Sequence, residues 1–218
     1  MIELRNVTKS YHTTKGRKYI FRNLSFVVPA NKNVAIIGRN GAGKSTLMRL
    51  LAGLDSPDSG KIITPDSISW PVGLSGGFQG SLTGRQNVKF IARVYGAERE
   101  RMQQVIDYVE QFAEIGDYFD QPVKTYSSGM RGRVAFGLSL AFDFDYYLVD
   151  EAMSVGDQKF KTRATEEFKK KVGNAKIILV THGMSQVKAL CDIVLVLNQG
   201  QIETFDDVEA GIDFYKNL

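Results

Sequence analysis

The run Gly38-Arg39-Asn40-Gly41-Ala42-Gly43-Lys44-Ser45-Thr46 fits the pattern G-x-x-x-x-G-K-[ST], whose chemistry resides mostly in the backbone. Glycines at 38, 41 and 43 let successive N–H groups turn inward around phosphates, where a side chain would collide. Lys44 adds a point charge for the β and γ phosphates, and Ser45 offers its hydroxyl to Mg²⁺. A helix opening at Lys44 points its positive end at the same place. The residue types imply a bound nucleoside triphosphate with its magnesium ion.

A second constellation lies about a hundred residues on. Tyr146-Tyr147-Leu148-Val149-Asp150-Glu151 is an apolar strand ending in two carboxylates. Neighbouring side chains on a strand point in different directions, so the two acids can take different tasks. Asp150 is assigned to Mg²⁺ through its water shell, and Glu151 to polarising an attacking water as general base.

The surrounding elements are those that position such residues. Alternation in Ile2-Glu3-Leu4-Arg5 and Leu24-Ser25-Phe26-Val27 predicts antiparallel strands at the start of the chain. Asn33 to Gly38 reads as an apolar strand and Lys44 to Gly53 as a helix with a glycine stop, so the phosphate run joins a strand to a helix. From Leu82 to about Phe142 the period is helical, with Val88, Ile91, Ala92 and Tyr95 on one face and Val105, Ile106, Val109 and Phe112 on another. Alternation then resumes: strand Tyr146 to Val149, helix Phe160 to Val172, strand Lys176 to Thr181, helix Met184 to Leu190, strand Ile193 to Leu197. This β-α-β order predicts an α/β fold with a parallel sheet. A strand at Gln201 to Phe205 and a helix from Asp207 to Tyr215 follow.

Composition narrows the class. Hydrophobic residues at 43% and charged residues at 24% are those of an ordinary folded domain. Apolar runs such as Ile177 to Val180 and Ile193 to Leu197 are far too short to cross a bilayer, and Met1-Ile2-Glu3-Leu4 opens no secretory pattern. A cytoplasmic location is expected. The single cysteine, Cys191, excludes an internal disulfide and is read as a small core residue. A net charge of +4 is modest and dispersed, so no nucleic-acid partner is expected, and Lys15-Gly16-Arg17-Lys18 and Lys169-Lys170-Lys171 are read as solvated faces.

Taken whole, the chain resembles the ATP-binding cassette family. That resemblance implies a single domain over 1–218: a RecA-like parallel core with an antiparallel β subdomain at 1–81 and 143–218, and an inserted helical subdomain at 82–142. The family signature, usually Leu-Ser-Gly-Gly-Gln, falls at Tyr126-Ser127-Ser128-Gly129-Met130. Leu74-Ser75-Gly76-Gly77-Phe78 matches the text better but precedes the helical segment, too far upstream of Asp150. It is read instead as the approach to the family's Q-loop, with Gln79 serving the magnesium and the reacting phosphate. By the same resemblance His182 contacts the γ-phosphate, Asp157 belongs to the D-loop between two cassettes, and Tyr11 stacks on adenine. Ser128 and Met130 depart from the usual Gly and Gln; methionine cannot replace the amide's hydrogen bonds, so slower turnover is expected.

In this family the signature covers nucleotide held by a second cassette, so one cassette implies a homodimer, with Ser127 and Gly129 of one copy on the γ-phosphate held by Lys44 of the other. Ser154-Val155-Gly156-Asp157 in place of the common Ser-Ala-Leu-Asp, Gly73 to Gln79 and Thr83-Gly84-Arg85-Gln86-Asn87-Val88 resemble ATPases of bacterial capsular polysaccharide exporters. The resemblance implies permease subunits in the inner membrane, with the chain on their cytoplasmic face and the segment from Gly80 to Asn87 near the socket for them. Export of another polymer or lipid, such as teichoic acid or O-antigen, and a cassette working without a membrane are the alternatives.

Overall fold

A computed structural model describes residues 1–73, 76–150, 157–173 and 175–218. Buried residues recur at Ile2, Leu4 and Val7 along the first strand, β1 (Ile2–Thr13), as a half-buried strand requires. It pairs antiparallel with β2 (Gly16–Val28), from Ile2 opposite Val28 to Thr13 opposite Gly16. Register shifts in this pair include one at the step from Lys9–Phe21 to Ser10–Tyr19, which leaves Ile20 as an extra residue in β2. Next come β3 (Val34–Gly38), α1 (Lys44–Leu51) and β4 (Ser59–Ile63), the last pairing with the free edge of β1 to give the order β2-β1-β4.

The helical stretch resolves into α2 (Gly84–Val94), α3 (Arg99–Ala113), 3₁₀ turns at Gly116–Asp120 and Val123–Thr125, and α4 (Ser128–Leu140). Then follow β5 (Tyr146–Asp150), α5 (Gln158–Val172), β6 (Lys176–Val180), α6 (Met184–Leu190), β7 (Ile193–Asn198), β8 (Gln201–Phe205) and α7 (Val208–Lys216). Strands β5-β6-β3-β7-β8 form one sheet; the first four are parallel and β8 is antiparallel to β7. The short hairpin between β7 and β8 uses Gln199 and Gly200, both at positive φ (47° and 80°), which suits the right-handed strand twist.

The chain divides into two compact units. The first, Met1–Pro71, Phe144–Glu151 and Asn174–Leu218, carries both sheets. Its parallel strands are apolar except at their ends because both faces are covered. Val34, Ile36, Leu195 and Leu197 join Leu47 of α1 and Leu4 and Phe21 of the antiparallel sheet in one core. Ala35, Ile37, Val194 and Val196 face the other way, onto Val187 of α6 and Ile212 of α7. Gly211 lets α7 lie flat there, since a Cβ would come within 2.8 Å of Val194.

The second unit, Val72–Asp143 and Ala152–Gly173, includes α2 to α5. Phe112 of α3, Phe136 of α4 and Phe160 of α5 are mutually packed, with ring centroids 5.4 to 6.4 Å apart, and Phe168 adds a further edge contact to Phe136. Tyr126 ties the parts of this unit together. Its buried hydroxyl accepts from Gly84 N at the start of α2 (3.1 Å) and donates to the Phe119 carbonyl (3.3 Å). Tyr126→Phe leaves both backbone groups without that partner and should cost about 1 to 3 kcal/mol, read as a lower midpoint in urea unfolding with an unchanged slope.

Candidate functional site

The phosphate run lies where its spacing places it, on the turn from β3 into α1. Close approaches explain two of its three glycines, and a positive φ of 81° the third, Gly41. A Cβ at Gly38 would lie 2.3 Å from the Leu197 carbonyl oxygen of the neighbouring strand. At Gly43, φ is +109° and a Cβ would meet Ile20 at 2.7 Å and Phe21 at 3.0 Å. Gly43 caps α1 with no side chain, and the first turn holds no acidic residue, so the amide groups there remain open to an anion. The buried Lys44 folds back over the loop, its ammonium donating to the carbonyl oxygens of Gly38 (2.7 Å) and Arg39 (3.2 Å).

A cavity of about 360 Å³ opens on this loop. Asn40, Gly41, Gly43, Lys44, Ser45 and Thr46 of the loop line it together with Asp150, Val180 and His182, and Lys18 and Ile20 of β2 complete its wall. Parallel register brings the second group in. Asp150 lies opposite Val180 at the ends of β5 and β6, and His182 follows β6 by two residues. Thr181 shapes that turn, its hydroxyl accepting from Gly183 N at 3.0 Å. Ligands of open α/β sheets bind beyond the carboxyl ends of the strands, where Gly38, Asp150 and His182 all sit.

Tyr11 does not line the cavity. Its hydroxyl donates to Asp55 (2.8 Å), and Lys9, itself 2.6 Å from Asp55, lies over its ring at 5.1 Å. The lysine contact holds the Asp55 carboxyl below its ordinary range. Lys18, directly opposite Tyr11 in the register, is the lining residue that sequence reasoning passed over as a solvated turn.

The remaining site residues belong to the second unit, apart from Glu151, which lies outside the described residues. Ser127 caps α4, its hydroxyl oxygen accepting from Met130 N at 3.1 Å. Asp157 caps α5 by accepting from Phe160 N (2.9 Å) and pairs with Arg133 of α4 (2.6 Å). The Phe160 amide and the Arg133 charge keep its carboxyl below the usual range. Ser127, Ser128, Gly129, Met130, Arg133 and Asp157 share a second cavity of about 580 Å³, with Glu114 and Tyr118 on its border. Gln79 is held by its backbone: Asn87 accepts from Gln79 N (2.7 Å) and donates to Gln79 O (3.1 Å), leaving the Gln79 residue exposed. The sequence carried a signal for this arrangement in Thr83-Gly84-Arg85-Gln86, a capping box whose reciprocal bonds start α2 and so place Asn87.

A glycine-rich loop between a parallel strand and a helix, facing a strand-end carboxylate, defines a P-loop nucleotide-binding fold. The ABC transporter family model matches residues 21–154, and the chain belongs to that family. It is 55% identical to the polysialic acid transport ATP-binding protein KpsT of Escherichia coli over 99% of this chain and 96% of that one. It is 45% identical to the ATP-binding protein BexA of Haemophilus influenzae, covering 99% and 98%, and 44% identical to the capsule polysaccharide export ATP-binding protein CtrD of Neisseria meningitidis, covering both chains fully. Among solved structures, the ATP-binding cassette MJ0796, in a dimeric post-hydrolysis state bound to ADP and Pi, superposes with a TM-score of 0.72 at 23% identity, over 93% of this chain and 97% of that one. The α/β cassette fold expected from the sequence is thus the fold observed.

Proposed function

We propose that the chain is the ATP-hydrolysing subunit of an exporter that moves capsular polysaccharide, a lipid-linked polymer, across the bacterial inner membrane. Lys44, Ser45, Asp150 and His182 around one cavity are the observation that carries the ATPase part. Identity along the full chain of 55% to the polysialic acid transport protein and 44% to the capsule polysaccharide export protein above supports the cargo.

In this reading the phosphates of ATP replace the Gly38 and Arg39 carbonyls as partners of the Lys44 ammonium, while the amides from Gly41 to Thr46 hold the β-phosphate. Asn40 borders the γ-phosphate with His182. Ser45 and Asp150, and Gln79 from the Q-loop, would hold Mg²⁺; a hydroxyl, a carboxylate and an amide are the hard oxygen donors that ion takes, and it supplies charge neutralisation at the phosphates. Glu151 accepts a proton from the attacking water, and Tyr11 offers its ring to adenine. Ser127 and Gly129 of a second copy close over the γ-phosphate, with Asp157 beside them. Membrane permease subunits dock near the segment from Gly80 to Asn87, and the chain works at the inner face of the membrane. Among the described residues no helix is long and apolar enough to cross a membrane.

Glu151→Gln should still bind ATP while turnover falls by about 100-fold or more, and ATP should trap the variant as a dimer in size-exclusion chromatography; undiminished hydrolysis removes Glu151 from its role. Ser127→Arg loses a helix cap worth about 1 kcal/mol, too little to unfold the chain, and should abolish ATP-dependent dimerisation while leaving binding of ATP to monomers intact. Deleting the gene should leave capsule polymer inside the cell, and a normal surface capsule in the deletion strain would overturn the cargo assignment.

A further inference from the structure

One wall of the phosphate cavity comes from β2, outside the phosphate loop and the parallel strands. Lys18 and Ile20 both line it. Ile20 is the extra residue where β1 and β2 shift register. Such a bulge places two consecutive side chains on one side of the strand, and here both Ile20 and Phe21 abut Gly43 of the phosphate loop. The irregularity therefore seats β2 against the loop at a fixed point. Lys18 is two residues back from Ile20, on the same face, and directly opposite Tyr11 in the antiparallel pair, so those two side chains also share a face.

The charges around Lys18 are already committed elsewhere. Arg17 bonds Asp58 (3.0 Å) and Ser10 (2.6 Å) on the other face of β2, and Arg22 stacks on Tyr19 at 3.9 Å. Among the described residues Lys18 forms no ion pair, and it is exposed. Lys44, which also lines the cavity, is buried beneath the loop and bonds its first carbonyls. His182 and Asp150 line the same cavity from the ends of the parallel strands rather than from β2. An extended triphosphate held by this loop has its γ end toward Asp150 and His182, so its base-proximal phosphate points toward β2.

We infer that the Lys18 ammonium is a nucleotide-binding group that holds the α-phosphate of ATP and ADP, a contact supplied by the antiparallel sheet and separate from the phosphate loop. The inference rests on the nucleotide-binding reading of this cavity. Because both nucleotides carry an α-phosphate, Lys18 contributes equally to their binding and does not distinguish the state before hydrolysis from the state after it.

The test is isothermal titration of the full chain with ATP and with ADP, for the wild type, K18M, K18R and, as a control on general charge, K32M. K18M should weaken both nucleotides about tenfold, as expected for loss of one charge-assisted hydrogen bond; K18R should retain most of the affinity and K32M all of it. Unchanged affinity in K18M overturns the inference, and so does a loss confined to ATP, which would place the contact on the γ-phosphate. Equal losses in K18M and K32M would mean a field effect of net charge and also overturn it. If the wild type itself binds neither nucleotide, the cavity's nucleotide-binding reading fails together with the inference, an outcome distinct from the others.

Discussion

There is no room for a side chain at position 43, and much of the first unit is arranged around that fact. Ile20 and Phe21 occupy the space a Cβ would need, and the backbone there has a positive φ that disfavours any residue but glycine. The loop is thereby pressed against β2 from one side while Gly38 is pressed against the Leu197 carbonyl from another. A loop wedged between two sheets keeps its amide groups aimed inward without a ligand to organise them. The Lys44 ammonium, bonded to the carbonyls of Gly38 and Arg39, holds the same shape from within. Preorganisation of this kind avoids the ordering cost of shaping a flexible loop around an anion.

The parallel sheet does the remaining positioning by register alone. With β3 between β6 and β7, and β5 beyond β6, Asp150 comes level with Val180 and Ile36, and Gly38 follows two residues further along β3. Residues from distant parts of the sequence thus meet at one edge without any side chain having to reach far. Burial on both faces makes that register costly to slip, because a shift of one residue would exchange Ile36 and Leu195 with Ile37 and Val196 between two differently shaped cores.

Legibility in the sequence followed how local each feature is. The phosphate run, Asp150 at the end of β5 and the strand–helix alternation are short-range patterns, and the structure places them where the sequence predicts. β4 was not read: Ser59-Gly60-Lys61-Ile62-Ile63 is an edge strand with no buried residue, so it has almost no apolar period to find. The helix α5 continues the β-α-β rhythm in sequence, yet its Phe160 and Phe168 pack on Phe112 and Phe136 of the helical unit, a partnership between residues far apart in the chain. Cys191 is half-buried and packs against the core around Val187 and Val194, and burial pushes its thiol up to about 12. Lys18 was missed because it stands in a basic cluster and is as exposed as its neighbours, and only its place beside Ile20 in the cavity wall marks it out.

The departures at Ser128 and Met130 look different once the start of α4 is in view. Ser127 accepts the Met130 amide with its hydroxyl oxygen, so its O–H hydrogen remains to donate outward into the second cavity. The contact at position 130 that shapes this helix start comes from the backbone, which methionine supplies as well as glutamine does. A larger constraint is Asp157, whose carboxylate faces the same cavity and would repel a phosphate there. Arg133, largely buried and stacked 4.7 Å from the Phe160 ring, sits 2.6 Å from that carboxylate and offsets its charge. Whatever anion the cavity accepts, it meets a neutralised pair rather than a bare carboxylate, and the pair joins the start of α5 to the first turns of α4. A shift of either helix start therefore alters the charge presented to an anion as well as its geometry.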